Sequence, residues 1–310
     1  MPPELPPLTR NYRLAAPMMR GDEIARAQAL LKPTSSGIKV DGIFGLATHG
    51  AVLQFQKSKG LTSDGVIGGQ TWRALHGTSA GDALETEADQ ILSDTQRARL
   101  GAFHARFAGG YSWRITDKGL EIEGLGVPML GRAEAARILD NFAQQIASAS
   151  AVYKVPIELV VATILAESSG RPAARRLEPG CDHRNPERTP TRVSVGLTQT
   201  LLSTARSALR QPGLTLADLE NPATSISAGM AYMWSQARET GFDPPLVAAA
   251  YNAGSVRYNG GAENRWRLRQ FPIGTGKHCD RFVRFFNACW ADPRVAQVPK
   301  PGFSYRTLLG

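Results

Sequence analysis

The residue best placed to do chemistry is Glu167, because of what surrounds it. Leu159-Val-Val-Ala-Thr-Ile-Leu-Ala166 is an apolar run interrupted by Thr163, opened by Pro156-Ile-Glu158 and followed by Glu167-Ser168-Ser169-Gly170-Arg171-Pro172. Gly170 suits a helix C-terminal cap and Pro172 prevents continuation, so Glu167 falls in the last turn of a buried helix. Desolvation and the negative end of the helix dipole both disfavour a carboxylate there. A Glu held protonated near neutral pH is what a general acid requires. The same position also suits a Glu that simply turns to solvent at a helix end, and both readings stand on this residue alone.

Three later segments add polar groups in a fixed order. Ser194-Val195-Gly196-Leu197-Thr198-Gln199 offers backbone approach at Gly196 and two side chains, Ser194 and Gln199, able to hydrogen-bond a sugar. Asn221-Pro222 reads as a cap and a first-turn Pro, opening a helix whose Gly229 lets another helix come close. Leu246-Val-Ala-Ala-Ala-Tyr251-Asn252-Ala253-Gly254 sets Tyr251 and Asn252 at a helix end stopped by Gly254. Between Glu167 and Ser194, the polar stretch from Pro172 to Val193 carries Glu178, Asp182 and Glu187, any of which could be a second carboxylate. A solvated loop is the preferred reading for those three.

The elements that must hold these groups are mostly helical. From Arg132 onward Ala133, Ala136, Ile138, Leu139, Phe142 and Ile146 lie on broad apolar faces. Residues 84–108 read as a helix of mixed charge. Trp113-Arg-Ile115 and Leu120-Glu-Ile122 alternate in a way that permits a short hairpin around Asp117-Lys118-Gly119.

The first eighty residues are organised differently. Asp41-Gly42-Ile43-Phe44-Gly45 returns as Asp64-Gly65-Val66-Ile67-Gly68, each copy followed three residues later by Thr48 or Thr71. Asp-Gly supports a turn at positive φ, the apolar pair plugs a core, and the last Gly opens the next helix. Helical spacing before, between and after the copies predicts a three-helix module that binds or packs, with no acid–base pair. Phe55 and Trp72 read as core, and ligand contact is expected on polar residues near the repeats. The small polar run Gly77-Thr-Ser-Ala-Gly-Asp82 is the natural boundary.

Composition excludes several classes. With 310 residues, 42% hydrophobic and 20% charged, the chain has the length for two domains and the apolar content for a core in each. No run approaches the roughly 20 apolar residues that span a bilayer. The N-terminus lacks the apolar core of a secretion signal. Three cysteines, Cys181, Cys279 and Cys289, cannot all pair, and neither Cys181 with His183 nor His278 with Cys279 has zinc spacing. No metal or cofactor is called for. The net charge of +9 is uneven, with ten basic against three acidic residues in 257–310. That excess fits an anionic envelope polymer or a solvated surface, and no nucleic-acid motif accompanies it.

With the two Asp-Gly copies, Phe55-Gln56 and Thr71-Trp72, residues 18–77 resemble the peptidoglycan-binding domain 1 family. The resemblance implies a shallow groove for the glycan or stem peptide of peptidoglycan. Glu167-Ser168, Gly196-Leu197-x-Gln199, Asn221-Pro222 with Gly229, and Ala250-Tyr251-Asn252-Ala253-Gly254 resemble the lysozyme-like soluble lytic transglycosylase family over roughly 140–290. That resemblance implies a helical domain that cleaves the MurNAc–GlcNAc β-1,4 bond with Glu167 as its single acid and then base. The product is a 1,6-anhydro ring formed without water, and the substrate N-acetyl group takes the place of a second carboxylate. Tyr251 would orient Glu167 or the substrate, and Ser168, Ser194, Gly196, Gln199 and Asn252 would contact sugar. The long Pro172–Val193 stretch and the polar Thr198 and Thr200 depart from the family pattern, so a hydrolytic muramidase is the second reading.

The expected protein is therefore mainly α. It has an N-terminal arm (1–17), a three-helix binding domain (18–77), a linker (78–84), a helix-and-hairpin extension (85–130) and a lysozyme-like catalytic domain (131–310). It is expected to be a monomer resembling modular endolysins of phages of Gram-negative bacteria, made in the host cytoplasm and reaching periplasmic peptidoglycan through a holin. A non-catalytic wall-binding or virion structural protein is the alternative from another class.

Overall fold

A computed structural model describes residues 8, 11–14, 18–35, 37–59, 61, 64–76, 91–297 and 302–309. The chain divides into two compact units, residues 1–88 and 89–310, and both are mainly helical. The expected linker, most of the expected arm and the start of the expected extension lie outside the described residues.

In the first unit, helices α1 (Asp22–Leu31), α2 (Leu46–Ser58) and α3 (Gly69–Leu75) enclose Ile24, Ala27, Leu31, Phe44, Val52, Ile67 and Trp72. Trp72 is core as expected, and Phe55 packs partly buried against it. The repeat has a structural reason that is not local. Gln28 of α1 is buried beneath the first copy: its amide donates to Asp41 Oδ1, Ile43 O and Thr48 Oγ1, and its oxygen accepts from the Asp41 and Gly42 N–H groups. Gln56 of α2 does the same for the second copy, donating to Asp64, Val66 O and Thr71 and accepting from Gly65 N–H. Gly42 and Gly65 take φ of 68° and 69°, the left-handed turn geometry that Asp-Gly predicts. Asp41, Thr48, Asp64 and Thr71, polar residues of the repeats themselves, are thus spent closing these two clasps.

The second unit begins with α4 (Asp94–Gly101), started by a reciprocal Ser93–Gln96 capping box. The hairpin β1 (Trp113–Thr116) and β2 (Gly119–Ile122) follows where the alternation permitted one, with Thr116 opposite Gly119. Its Leu120 is bracketed by a single amide, Leu120 N–H donating to Asn287 Oδ1 at 2.7 Å and Asn287 Nδ2 donating to Leu120 O at 2.9 Å. Then α5 (Arg132–Tyr153) and α6 (Ile157–Glu167) follow and pack against each other. Every residue of α6 from Ile157 to Ala166 is buried, which explains the continuous apolar run.

A small antiparallel sheet, β3 (Arg175–Leu177), β4 (Val193–Val195) and β5 (Thr200–Leu201), comes next, in sequence order. It leads into α7 (Leu202–Leu209), α8 (Leu216–Glu220), α9 (Pro222–Ser235), α10 (Ala237–Thr240) and α11 (Pro244–Ala253). Helix α12 (Lys277–Trp290) packs against α6, α11, α5 and β2, and α13 (Tyr305–Leu308) closes the unit. The extended residues before α13 tie the chain's end to α6: Ile157 N–H donates to Phe303 O, and the buried Glu158 carboxyl accepts from Ser304 Oγ and Tyr305 N–H. Among the described residues, no helix is long and apolar enough to cross a membrane.

Candidate active site

Glu167 is the last residue of α6, and its backbone position follows from the chain after it. Ser169 and Gly170 both take positive φ, turning the chain away so that Pro172 lies beyond the helix. The Glu167 side chain is only 19% exposed and points into a groove of about 650 Å³. Burial pushes its carboxyl up to about 7, against the opposing pull of the Arg281 and Arg176 guanidinium groups. The alternative of a solvated Glu at a helix end therefore does not describe this residue.

Behind it stands a histidine that pattern reading passes over. His278, in the first turn of α12, places Nε2 3.8 Å from Glu167 Oε1 and is itself buried. Burial, with Arg281 acting in the same direction, pushes its imidazole down to about 4. A buried acid that holds its proton thus faces a buried base that does not take one.

Tyr251, Asn252, Ser194 and Gln199 all line the same groove as Glu167. Tyr251 Oη donates to Thr198 O at 2.9 Å and lies 2.8 Å from Thr200 Oγ1. Thr198 Oγ1 continues this polar chain to Thr200 at 3.0 Å and to Ser225 O at 2.8 Å. The two threonines that depart from the family pattern are what position the tyrosine ring. Asn252 Oδ1 accepts from Phe271 N–H, fixing a second groove residue by a loop contact. Gln199 takes φ of 47°, donates its amide to Ala174 O and Gly196 O, and receives Ser194 Oγ on its oxygen.

Two expected sugar contacts are corrected. Ser168 is 1% exposed, and its hydroxyl bonds Leu197 O at 2.6 Å and Ile164 O at 3.1 Å. It joins the end of α6 to the β4–β5 turn and has no face toward the groove. Gly196 does not line the groove either. At φ of 86°, a Cβ there would come 2.2 Å from Leu219 O and 2.5 Å from Ser225 Oγ, so the glycine admits the α8–α9 junction. Gly229 likewise admits Thr198 of the turn, whose Cγ2 would lie 2.7 Å from an added Cβ, where a neighbouring helix was expected.

The long connection from Pro172 to Val193 is a built wall. Arg176, Glu178, Thr191 and Arg192 border the groove, and Arg176 pairs with Glu178 at 2.8 Å. Of the three acids in this stretch, Asp182 caps the loop by accepting from Arg184 and Asn185 N–H, and Glu187 accepts from Leu216 N–H. Glu178 alone of the three faces the groove. Cys181, Cys279 and Cys289 are free and buried.

With this geometry in view, comparison with known proteins assigns both units. Residues 144–269 match the family model for the transglycosylase SLT domain, and residues 20–75 match that for the peptidoglycan binding domain. The N-acetylmuramoyl-L-alanine amidase CwlM of Mycobacterium tuberculosis is 40% identical over 70 residues, 22% of this chain and only 17% of that protein. The crystal structure of a Burkholderia AP3 phage endolysin aligns over 93% of this chain and 100% of its own, at 17% identity and a TM-score of 0.21. Along the chain, a match to a peptidoglycan binding domain is thus followed by a match to a transglycosylase SLT domain.

Proposed function

We propose that the first unit holds peptidoglycan while the second cleaves its MurNAc–GlcNAc β-1,4 bond by transglycosylation. The observation that carries this reading is Glu167: a carboxyl held up to about 7 by burial, at the edge of a groove lined with hydroxyl and amide groups. In the first step the Glu167 proton passes to the bridging oxygen, the C1–O4 bond breaks, and the GlcNAc 4-hydroxyl leaves. The substrate's own N-acetyl oxygen stabilises the positive anomeric carbon. In the second step the Glu167 carboxylate takes the proton of the MurNAc 6-hydroxyl, O6 bonds to C1, and the acid is regenerated. Tyr251 and Asn252, each fixed by a protein hydrogen bond, orient the sugar beside the acid.

The order of the modules, wall binding before cleavage, fits the endolysin resemblance. In that reading the chain is made in a host cytoplasm and meets peptidoglycan in the periplasm after holin-type release.

One observation favours a second chemistry. Glu178 borders the same groove, and a carboxylate across from an acid can activate water for hydrolysis. Mass spectrometry of muropeptides released by the full chain separates the two. Products lacking one water support transglycosylation, whereas reducing MurNAc ends support hydrolysis and overturn the first reading. Under hydrolysis, Glu178→Gln removes the reducing ends; under transglycosylation it leaves the anhydro product in place.

A further inference from the structure

A second cleft opens beside the groove, between α7 and α9. Its volume is about 490 Å³, within the range of ~300–1,000 Å³ usual for small-molecule sites. The indole of Trp234 lines it and is 57% exposed, a large apolar ring left in water on a helix whose other face is buried. Opposite it, α7 presents the hydroxyls of Ser203, Thr204 and Ser207, which share one face at helical spacing. Arg210 is the one charged residue in the lining, and no carboxylate borders the cleft.

Thr204 and Tyr232 line both this cleft and the groove at Glu167, so the two surfaces are continuous. Tyr232 is the hinge between them, because its ring meets Tyr251 edge-on at 5.3 Å. A flat aromatic face flanked by hydroxyls suits one ligand chemistry in particular. The C–H face of a pyranose lies on the ring, and its hydroxyls exchange hydrogen bonds with Ser and Thr. An acidic peptide or phosphate would ask for more cations than Arg210, and a hydrophobic helix would find hydroxyls where it needs apolar contact.

We infer that the α7–α9 cleft is an outer glycan subsite, in which Trp234 stacks on N-acetylhexosamine units of the same strand whose inner units meet Glu167. This rests on the glycan-cleaving reading above and adds a dependence on strand length. A strand long enough to reach Trp234 is held more tightly than one that fills the groove alone, with the bond-breaking step unchanged.

The test uses the full chain with Trp234→Ala and, as the conservative control, Trp234→Tyr. On long glycan strands Trp234→Ala raises KM about tenfold with kcat retained. On a tetrasaccharide too short to span both surfaces it has no effect, and Trp234→Tyr stays near wild type on both. Equal loss on long and short substrates, or no loss on either, overturns the inference. A binding measurement keeps the subsite separable from the catalytic reading. In Glu167→Gln, titration with a chitin hexasaccharide is followed at the indole N–H signals of the chain's five tryptophans. The Trp234 signal shifts if the subsite exists and stays still if it does not, whether or not the wild-type chain proves able to cleave.

Discussion

Glu167 Oε1 and His278 Nε2 lie 3.8 Å apart, one at the end of α6 and the other at the start of α12, both largely removed from water. Burial acts on them in opposite senses, holding the carboxyl up to about 7 and the imidazole down to about 4. Between those values the pair is neutral, with the proton on the oxygen. The charged groups acting on it are Arg281 from α12 and Arg176 from β3. When Glu167 gives up its proton to a leaving oxygen, the new carboxylate forms beside a neutral imidazole whose Nε2 reaches hydrogen-bond distance once the two side chains close by about 1 Å.

The first prediction follows from the sign of the Glu167 shift. The acid form must be present for the bond to break, so kcat/KM is level in the acidic range and falls about tenfold per pH unit above about 7. Below that pH, Glu167→Gln lowers turnover on the order of 10³-fold with an unchanged circular dichroism spectrum, and the gap to wild type narrows as the wild-type rate falls at higher pH. A rate that climbs through pH 7, or clearing of peptidoglycan by the Gln variant, contradicts the assignment.

His278 is argued as a positioning residue, and its test needs a readout that simple misfolding would not move. His278→Leu removes the donor that steadies the carboxylate, so the basic limb of the pH profile shifts to higher pH. At the same time kcat drops on the order of tenfold with KM unchanged, about the worth of one hydrogen bond to a charged group. His278→Gln, which restores an N–H, recovers most of kcat. If both variants lose activity with wild-type pH profiles, His278 serves only to pack α12.

Much of this site is legible in the chain because its determinants are local. The apolar run from Leu159 to Ala166, ended by Gly170 and Pro172, specifies both the burial of α6 and the place of Glu167. The hairpin turn at Asp117-Lys118 and the Asp-Gly turns are short-range geometry of the same kind. What escapes is set by partners distant in sequence. His278 stands more than a hundred residues after Glu167, and only the packing of α12 on α6 brings them together. Gly196 reads as an approach for sugar until Leu219 O occupies that approach, and Ser168 reads as a sugar ligand until Leu197 O claims its hydroxyl. Thr198 and Thr200 look like departures from a pattern, although they are the anchors of Tyr251.

The binding module offers a test of the repeat itself. Gln28 and Gln56 each satisfy turn N–H groups that nothing else in their clasp can reach. Removing Gln56 leaves the buried Gly65 donor unpaired, at a cost of roughly 1–3 kcal/mol, and removing Gln28 frees the more accessible Asp41 and Gly42 donors at a smaller cost. Gln56→Ala and Gln28→Ala therefore each lower the melting temperature of the first unit in calorimetry of the full chain, while the transition of the second unit stays in place. Equal melting of variant and wild type would mean that water replaces the amide without penalty.

Glu158 yields the last prediction, on stability rather than rate. It is fully buried against the chain's final segment, and its carboxyl is pushed from the usual 4.5 up to about 7, burial outweighing the bonds from Ser304 and Tyr305 that favour the charged form. The folded state therefore binds this proton more tightly than the unfolded chain does. Stability from the group is fully present below pH 4.5 and is lost as pH rises through about 7, an effect of roughly 3 kcal/mol. Glu167 is raised in the same direction and adds to the slope. Glu158→Gln keeps an acceptor for Ser304 and Tyr305 but cannot ionise. Its melting temperature thus stays close to wild type at pH 5, exceeds it at pH 8, and changes less between the two. A variant whose melting temperature falls with pH as steeply as the wild type would show that Glu158 is already ionised in the folded chain, and that the final segment is held by a carboxylate.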